Sequence, residues 1–112
     1  MIIVKAHEAS EVPNPHGVSA RVLYSGRQAQ VVMVTLRPGE SLERHAVPMD
    51  VVFYVLGGEG IVEIGDEEAE VYADHLIVCP AHAPHRFRNH GRTDLRFLVI
   101  KLLGDVARAE EG

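Results

Sequence analysis

Cysteine is nearly missing from this chain: Cys79 stands alone in 112 residues, so no disulfide can form within it. Long apolar runs are missing as well, and no stretch approaches the roughly 18 to 20 apolar residues that a membrane-spanning helix requires. The N-terminal MIIVKAHEASEV has only a short apolar stretch before Lys5 and no cleavage-site pattern. That speaks against a signal peptide and for a soluble, cytoplasmic protein. Positive charge is in short supply, since 11 Lys and Arg oppose 16 Asp and Glu for a net charge of -5 with histidines neutral. The electrostatic footprint of a nucleic-acid binder is therefore lacking, and neither nucleic acid nor an anionic membrane is an expected partner. Helical periodicity is scarce before the last dozen residues.

What is there reads as β-structure. The length is that of one domain, 1–112, and the 46% hydrophobic and 24% charged residues are ordinary for a globular domain with a single core. Short apolar runs separated by Gly, Pro and Asp predict ten strands, at 2–6, 19–24, 30–37, 41–45, 51–56, 60–64, 69–72, 76–79, 85–89 and 95–102. The runs QVVMVTL, VVFYVL and RFLVIKL are strong strand formers without proline. An all-β sandwich or barrel follows. Arg37-Pro38-Gly39-Glu40 suits a type II turn and Gly65-Asp66 a tight turn, so hairpins are expected at 38–40 and 65–67. Three glycines in 57–60 mark another sharp corner. Residues 11–17 read as a loop, and the tail at 103–112 as a short, weakly docked end.

Seven histidines are the unusual feature: His7, His16, His45, His75, His82, His85 and His90. Histidine is the commonest metal ligand and the side chain that titrates near neutral pH. Two of the seven fall in ordered motifs. Gly39, His45 and Gly58 are separated by five and twelve residues, and Asp74, Pro80, His82, His85 and Asn89 follow after fifteen more. This arrangement resembles the two consecutive motifs of the cupin superfamily, over about residues 28–102. In that family the first motif is Gly, five residues, His, one residue, His, three or four residues, Glu, six residues, Gly. The second is Gly, five residues, Pro, one residue, Gly, two residues, His, three residues, Asn. Asp74 and His82 stand where the second motif has glycine.

The resemblance implies a small double-stranded jelly-roll barrel, with 1–27 as an N-terminal strand and loop. It implies a metal inside the barrel, held by three histidines and a glutamate and drawn from Mn, Fe, Ni, Zn or Cu. Carried over residue by residue, His45 and His85 match ligand positions, while Val47 and Val51 replace the second histidine and the glutamate. A transition-metal site generally needs at least three donors. Asp50 is one residue from the glutamate position, but a one-residue shift in a strand reverses the face, so it reaches inward only through a bulge or loop. Met49, His7 and His16 are further candidate donors. The alternative is that His45 and His85 face each other across an apolar cavity without metal.

The remaining candidates have plainer readings. His75, His82 and His90 lie in turn-like surroundings and face solvent, and Cys79 is an inert buried thiol. Alternation puts His85 and Phe87 inside and Arg86 and Arg88 outside, and Asn89 has a structural turn role. The run 51–56 is apolar on both faces, so Val52, Tyr54 and Leu56 must be covered by the second sheet's edge, the N-terminal strand or another subunit. The resemblance implies a homodimer paired through a sheet. Two functions follow: a small-molecule barrel holding a divalent transition metal through His45 and His85, as a metal-dependent enzyme of unassigned substrate, or a non-catalytic apolar binding or sensor barrel.

Overall fold

The computed structural model describes residues 1–104, and the expectation for the end of the tail lies outside them. Eight strands are formed: β1 (Ser19–Ser25), β2 (Ala29–Leu36), β3 (Val51–Gly57), β4 (Glu59–Ile64), β5 (Glu67–Tyr72), β6 (Leu76–Cys79), β7 (His85–Arg88) and β8 (Leu95–Leu102). They build a five-stranded sheet in the order β1-β2-β8-β3-β6 and a three-stranded sheet in the order β5-β4-β7. Every pairing is antiparallel. The product is the expected double-stranded jelly roll. Among the described residues no helix is long and apolar enough to cross a membrane.

Strand alternation decides what each sheet presents. In β3 the inward residues Val51, Phe53 and Val55 are no more than 1% exposed, and in β8 Leu95 and Phe97 are fully buried. The chain's three phenylalanines meet between the sheets. Phe87 stacks on Phe97 with centroids 4.2 Å apart, and Phe53 meets Phe87 edge-on at 4.8 Å. Each such side chain contributes about 1.5–3 kcal/mol by leaving water. On the outer face of the smaller sheet, Arg86 and Arg88 lie against Glu63, and Arg88 also meets Glu68. The arginines point outward as alternation requires.

Two expected strands are corrected. Residues 2–6 have no strand partner among the described residues: Ile2 and Ile3 are 91% and 79% exposed, and a 3-10 turn, Ala6–Glu8, follows. Propensity without a neighbouring strand does not make one. Residues 41–45 form only isolated bridges, Ser41 to Arg88 and His45 to His85, beside β7. The turn at 38–40 forms, with Glu40 N–H donating to Arg37 O at 2.9 Å and Gly39 at φ +88°, but it makes no hairpin. It carries the chain from the larger sheet to the smaller. The other tight turn is a true hairpin with a two-residue loop, because Ile64 already pairs with Glu67. Its first central residue, Gly65, has φ +58°.

Asn89 ties these corners together. Its Nδ2 donates to Leu36 O and Thr93 O, both at 2.9 Å, and its Oδ1 accepts from Gly91 N–H at 2.9 Å. At the 57–60 corner Gly58 has φ +83°, and a Cβ there would sit 2.2 Å from the Asp94 carbonyl oxygen. Only glycine fits.

Asp74 and His82, the residues in the second motif's glycine positions, both keep φ at 68°. A left-handed non-glycine residue stores about 1–3 kcal/mol. Asp74 recovers part of this by accepting a hydrogen bond from Tyr54 Oη at 2.8 Å, whereas the His82 side chain is exposed. His82→Gly is expected to stabilise the fold by about 1 kcal/mol, after glycine's own entropic cost of about 0.5–1 kcal/mol. Urea denaturation measures this, and a destabilised variant would contradict the strain argument.

Candidate functional site

The inward positions next to the phenylalanines line a cavity of about 120 Å³. β7 opens on His85, which exchanges two backbone hydrogen bonds with His45: N–H to O at 2.9 Å one way and 3.2 Å the other. This bridge brings the two motif histidines together, with ring centroids 4.4 Å apart. His45 Nδ1 lies 3.0 Å from Glu43 O, and His85 Nδ1 lies 3.3 Å from Ala83 O. A carbonyl only accepts, so both Nδ1 atoms carry the proton and both Nε2 atoms are lone pairs. Val47 and Val51 line the same cavity.

A third imidazole arrives from the loop before β1. Asn14 fixes that loop: its Oδ1 accepts from the N–H groups of His16 and Val18, and its Nδ2 donates to Val12 O and Val18 O. The result places His16 Nδ1 3.0 Å from the Glu43 N–H, from which it accepts. Neutral His16 therefore presents Nε2–H. Its ring centroid lies 5.3 Å from that of His45. Three imidazoles run in a row from His16 to the buried His85.

Other candidates go elsewhere. Asp50 is corrected: its Oδ1 accepts from Ala81 N–H at 2.8 Å, and it does not line the cavity. It precedes β3 by one residue, on the parity opposite to Val51, and no bulge intervenes to turn it inward. Met49 packs, half-buried, against the core. His7 is exposed beside Glu8, and His82 and His90 are exposed. His75 is exposed too, and its Nδ1 accepts from Tyr72 N–H. Cys79 is 1% exposed with Sγ 3.4 Å from His85 Nδ1. Burial, and then the charge of Asp50, push its thiol above the ordinary value, which keeps it protonated.

Lys101 is the lining residue that sequence reasoning missed. Its signal was in the strand period, since Leu95, Phe97, Val99 and Lys101 share one parity of β8. Among the described residues no group of three or more His, Cys, Asp or Glu is arranged to hold a metal ion. The cavity offers two imidazole lone pairs and one N–H, short of the three donors a transition metal generally needs. These residues do not make a metal centre by themselves.

The cupin domain pattern matches residues 32–101, and the chain belongs to the cupin family. It is 27% identical over 92 residues to auxin-binding protein 1 of Arabidopsis thaliana, covering 74% of this chain and 46% of that one. The chain thus spans less than half the length of that relative. It is 26% identical over 95 residues to the oxalate-binding protein of Thermotoga maritima, covering 83% of this chain and 77% of that one. The crystal structure of the TT1209 protein from Thermus thermophilus superimposes with a TM-score of 0.79 at 27% identity, covering 91% of this chain and 97% of that one.

The electrostatics of the cavity favour the neutral forms of His85 and His16. Burial, then the neighbouring His45, lower the pKa of His85, with Lys101 adding to this and the Ala83 hydrogen bond opposing it. Burial and then His45 lower that of His16, against Glu43. Below the ordinary value of 6.5 the unfolded chain therefore binds more protons than the folded one. By linkage, stability falls as pH drops through 6.5 toward the depressed values. Urea midpoints should fall between pH 7 and pH ~5.5, with a shallower slope in His16→Gln and His85→Gln. An unchanged slope in both variants would remove these histidines as the cause.

Proposed function

We propose that this cupin domain binds a small, largely apolar organic molecule in its barrel and orients it through His45 and His85. The observation that carries this reading is the lining of the cavity: nine of its fourteen residues are Val, Ala, Leu or Phe, and the polar ones gather around the imidazole row. Few, converging polar groups in an apolar cleft are the usual form of a small-molecule site. Its volume of about 120 Å³ is comparable with the ~150 Å³ engineered cavity that takes up benzene. Relatives named for binding auxin and oxalate support a small organic ligand.

A second reading has one observation in its favour. His45 and His85 both turn Nδ1–H to a backbone carbonyl, the arrangement that orients metal-bound histidines. A divalent transition metal would then take two donors from the protein and the rest from the ligand.

Native mass spectrometry and elemental analysis of untagged protein separate the two. The apolar-barrel reading expects a retained organic molecule and well under one metal per chain, with His45→Ala and His85→Ala each weakening retention by about tenfold, the equivalent of one hydrogen bond. About one equivalent of a transition metal, lost in both variants, would establish the metal reading instead.

The domain also pairs with a second copy of itself, in this proposal, through the outer face of the larger sheet. Tyr24, Leu76, Val78 and Leu102 on that face are 42–61% exposed, and beside them Val52 and Tyr54 share the outward parity. Residues 1–4, apolar and exposed, have no strand partner among the described residues, while β6 leaves an edge open. Two copies can satisfy both in a self-complementary interface. Sedimentation should give twice the 12.3 kDa chain mass, and Val78→Glu should give a folded monomer. A wild-type monomer at high micromolar concentration would dispose of the pairing.

A further inference from the structure

We infer that the ligand is an organic anion, a carboxylate on a short apolar body, and that Lys101 is the residue that selects it. This deepens the binding reading above and rests on it. Lys101 sits on β8 directly opposite Val51 on β3 and Gln30 on β2. It shares the inward parity of Phe97 and Val99, so its side chain enters the space where Val51 and His85 lie.

Among the described residues no Asp or Glu lines the cavity. Among the described residues, the ion pairs formed elsewhere in the chain leave Lys101 without a carboxylate partner. An ammonium group beside an apolar wall carries an uncompensated desolvation cost unless water or an opposite charge meets it. A bound carboxylate supplies that charge, and meets no competing acid in doing so.

The imidazoles fit this arrangement. His45 and His85 turn Nδ1–H to backbone carbonyls and their Nε2 lone pairs to the cavity, which brings no formal negative charge to compete with an anion for Lys101. They accept hydrogen bonds from water or from a hydroxyl on the ligand. Lys101 pairs with Val51 across β8 and β3, and both line the cavity with His85; its charge also disfavours protonation of that imidazole. A lysine and imidazoles set among valines match an acid with a short branched or cyclic hydrocarbon body. A positively charged or doubly apolar ligand would leave Lys101 without its counter-charge.

Titration calorimetry on the wild-type domain with 4-methylpentanoate and with 4-methylpentanamide tests this, because the two probes differ in charge and little in shape. The acid is expected to bind about 10- to 100-fold more tightly, the range of a charge-assisted hydrogen bond. In Lys101→Met the preference should vanish, the acid losing about 10- to 100-fold and the amide much less, and Lys101→Arg should restore it. Equal affinities in the wild type, or a preference that survives in Lys101→Met, would overturn the role of Lys101 and leave the binding barrel standing. Binding of neither probe up to millimolar concentration would overturn this inference. Together with an empty native mass spectrum, it would overturn the binding reading as well. The wild-type comparison decides the anion preference even where a variant fails to fold.

Discussion

Three phenylalanine rings hold the two sheets together, and nearly everything else in the domain is placed relative to them. Phe53 comes from β3, Phe87 from β7 and Phe97 from β8, so each sheet contributes to one buried stack. Because side chains alternate along a strand, the inward positions two residues away are set by the same contact. Those positions are Val51, His85 and Val99, which all line the cavity. The site is the next layer above the core. A shift of register that moved a histidine outward would also pull a phenylalanine out of the stack, which protects the site's geometry with the stability of the fold.

Where local pattern and tertiary neighbours agree, the sequence was legible. VVFYVL and RFLVIKL became β3 and β8, and the spacing of His45 and His85 in their motifs brought the two rings together. The failures each have a physical reason. Residues 2–6 have the composition of a strand and, among the described residues, no strand to pair with. His16 stood among the candidate donors with no position fixed for it, because it reaches the cavity through side-chain bonds made by Asn14 and a backbone bond from Glu43, none of which has a periodic signature. Asp50 lies next to a ligand position in sequence and on the other side of the strand in space. Lys101 follows from the alternation of β8 alone and lies outside the motif positions.

The departures from the family pattern fall into two kinds with different costs. At the turn positions, Asp74 and His82 keep the left-handed backbone that glycine would adopt freely, so the shape of the second motif survives its changed residues. At the ligand positions, Val47 and Val51 change the chemistry and keep the packing. Val51 is 1% exposed and belongs to the core cluster, with Val47 packed against it. Two donor positions have become part of the apolar wall. The backbone of a cupin is intact here, with valine side chains at two of the positions that face the cavity.

The walls of the cavity are unequal in what they would lose by changing. Those on β2, β3 and β8 are continuous with the phenylalanine stack, and altering them disturbs close packing, where an ill-fitting side chain costs about 1–3 kcal/mol. The wall formed by Asn14 and His16 belongs to a loop fastened by local polar bonds to its own backbone. Residues there can be exchanged with little effect on the core. Divergence toward a differently shaped ligand therefore runs most readily through the loop, and related domains should differ more between residues 13 and 18 than along the strands that share the same pocket.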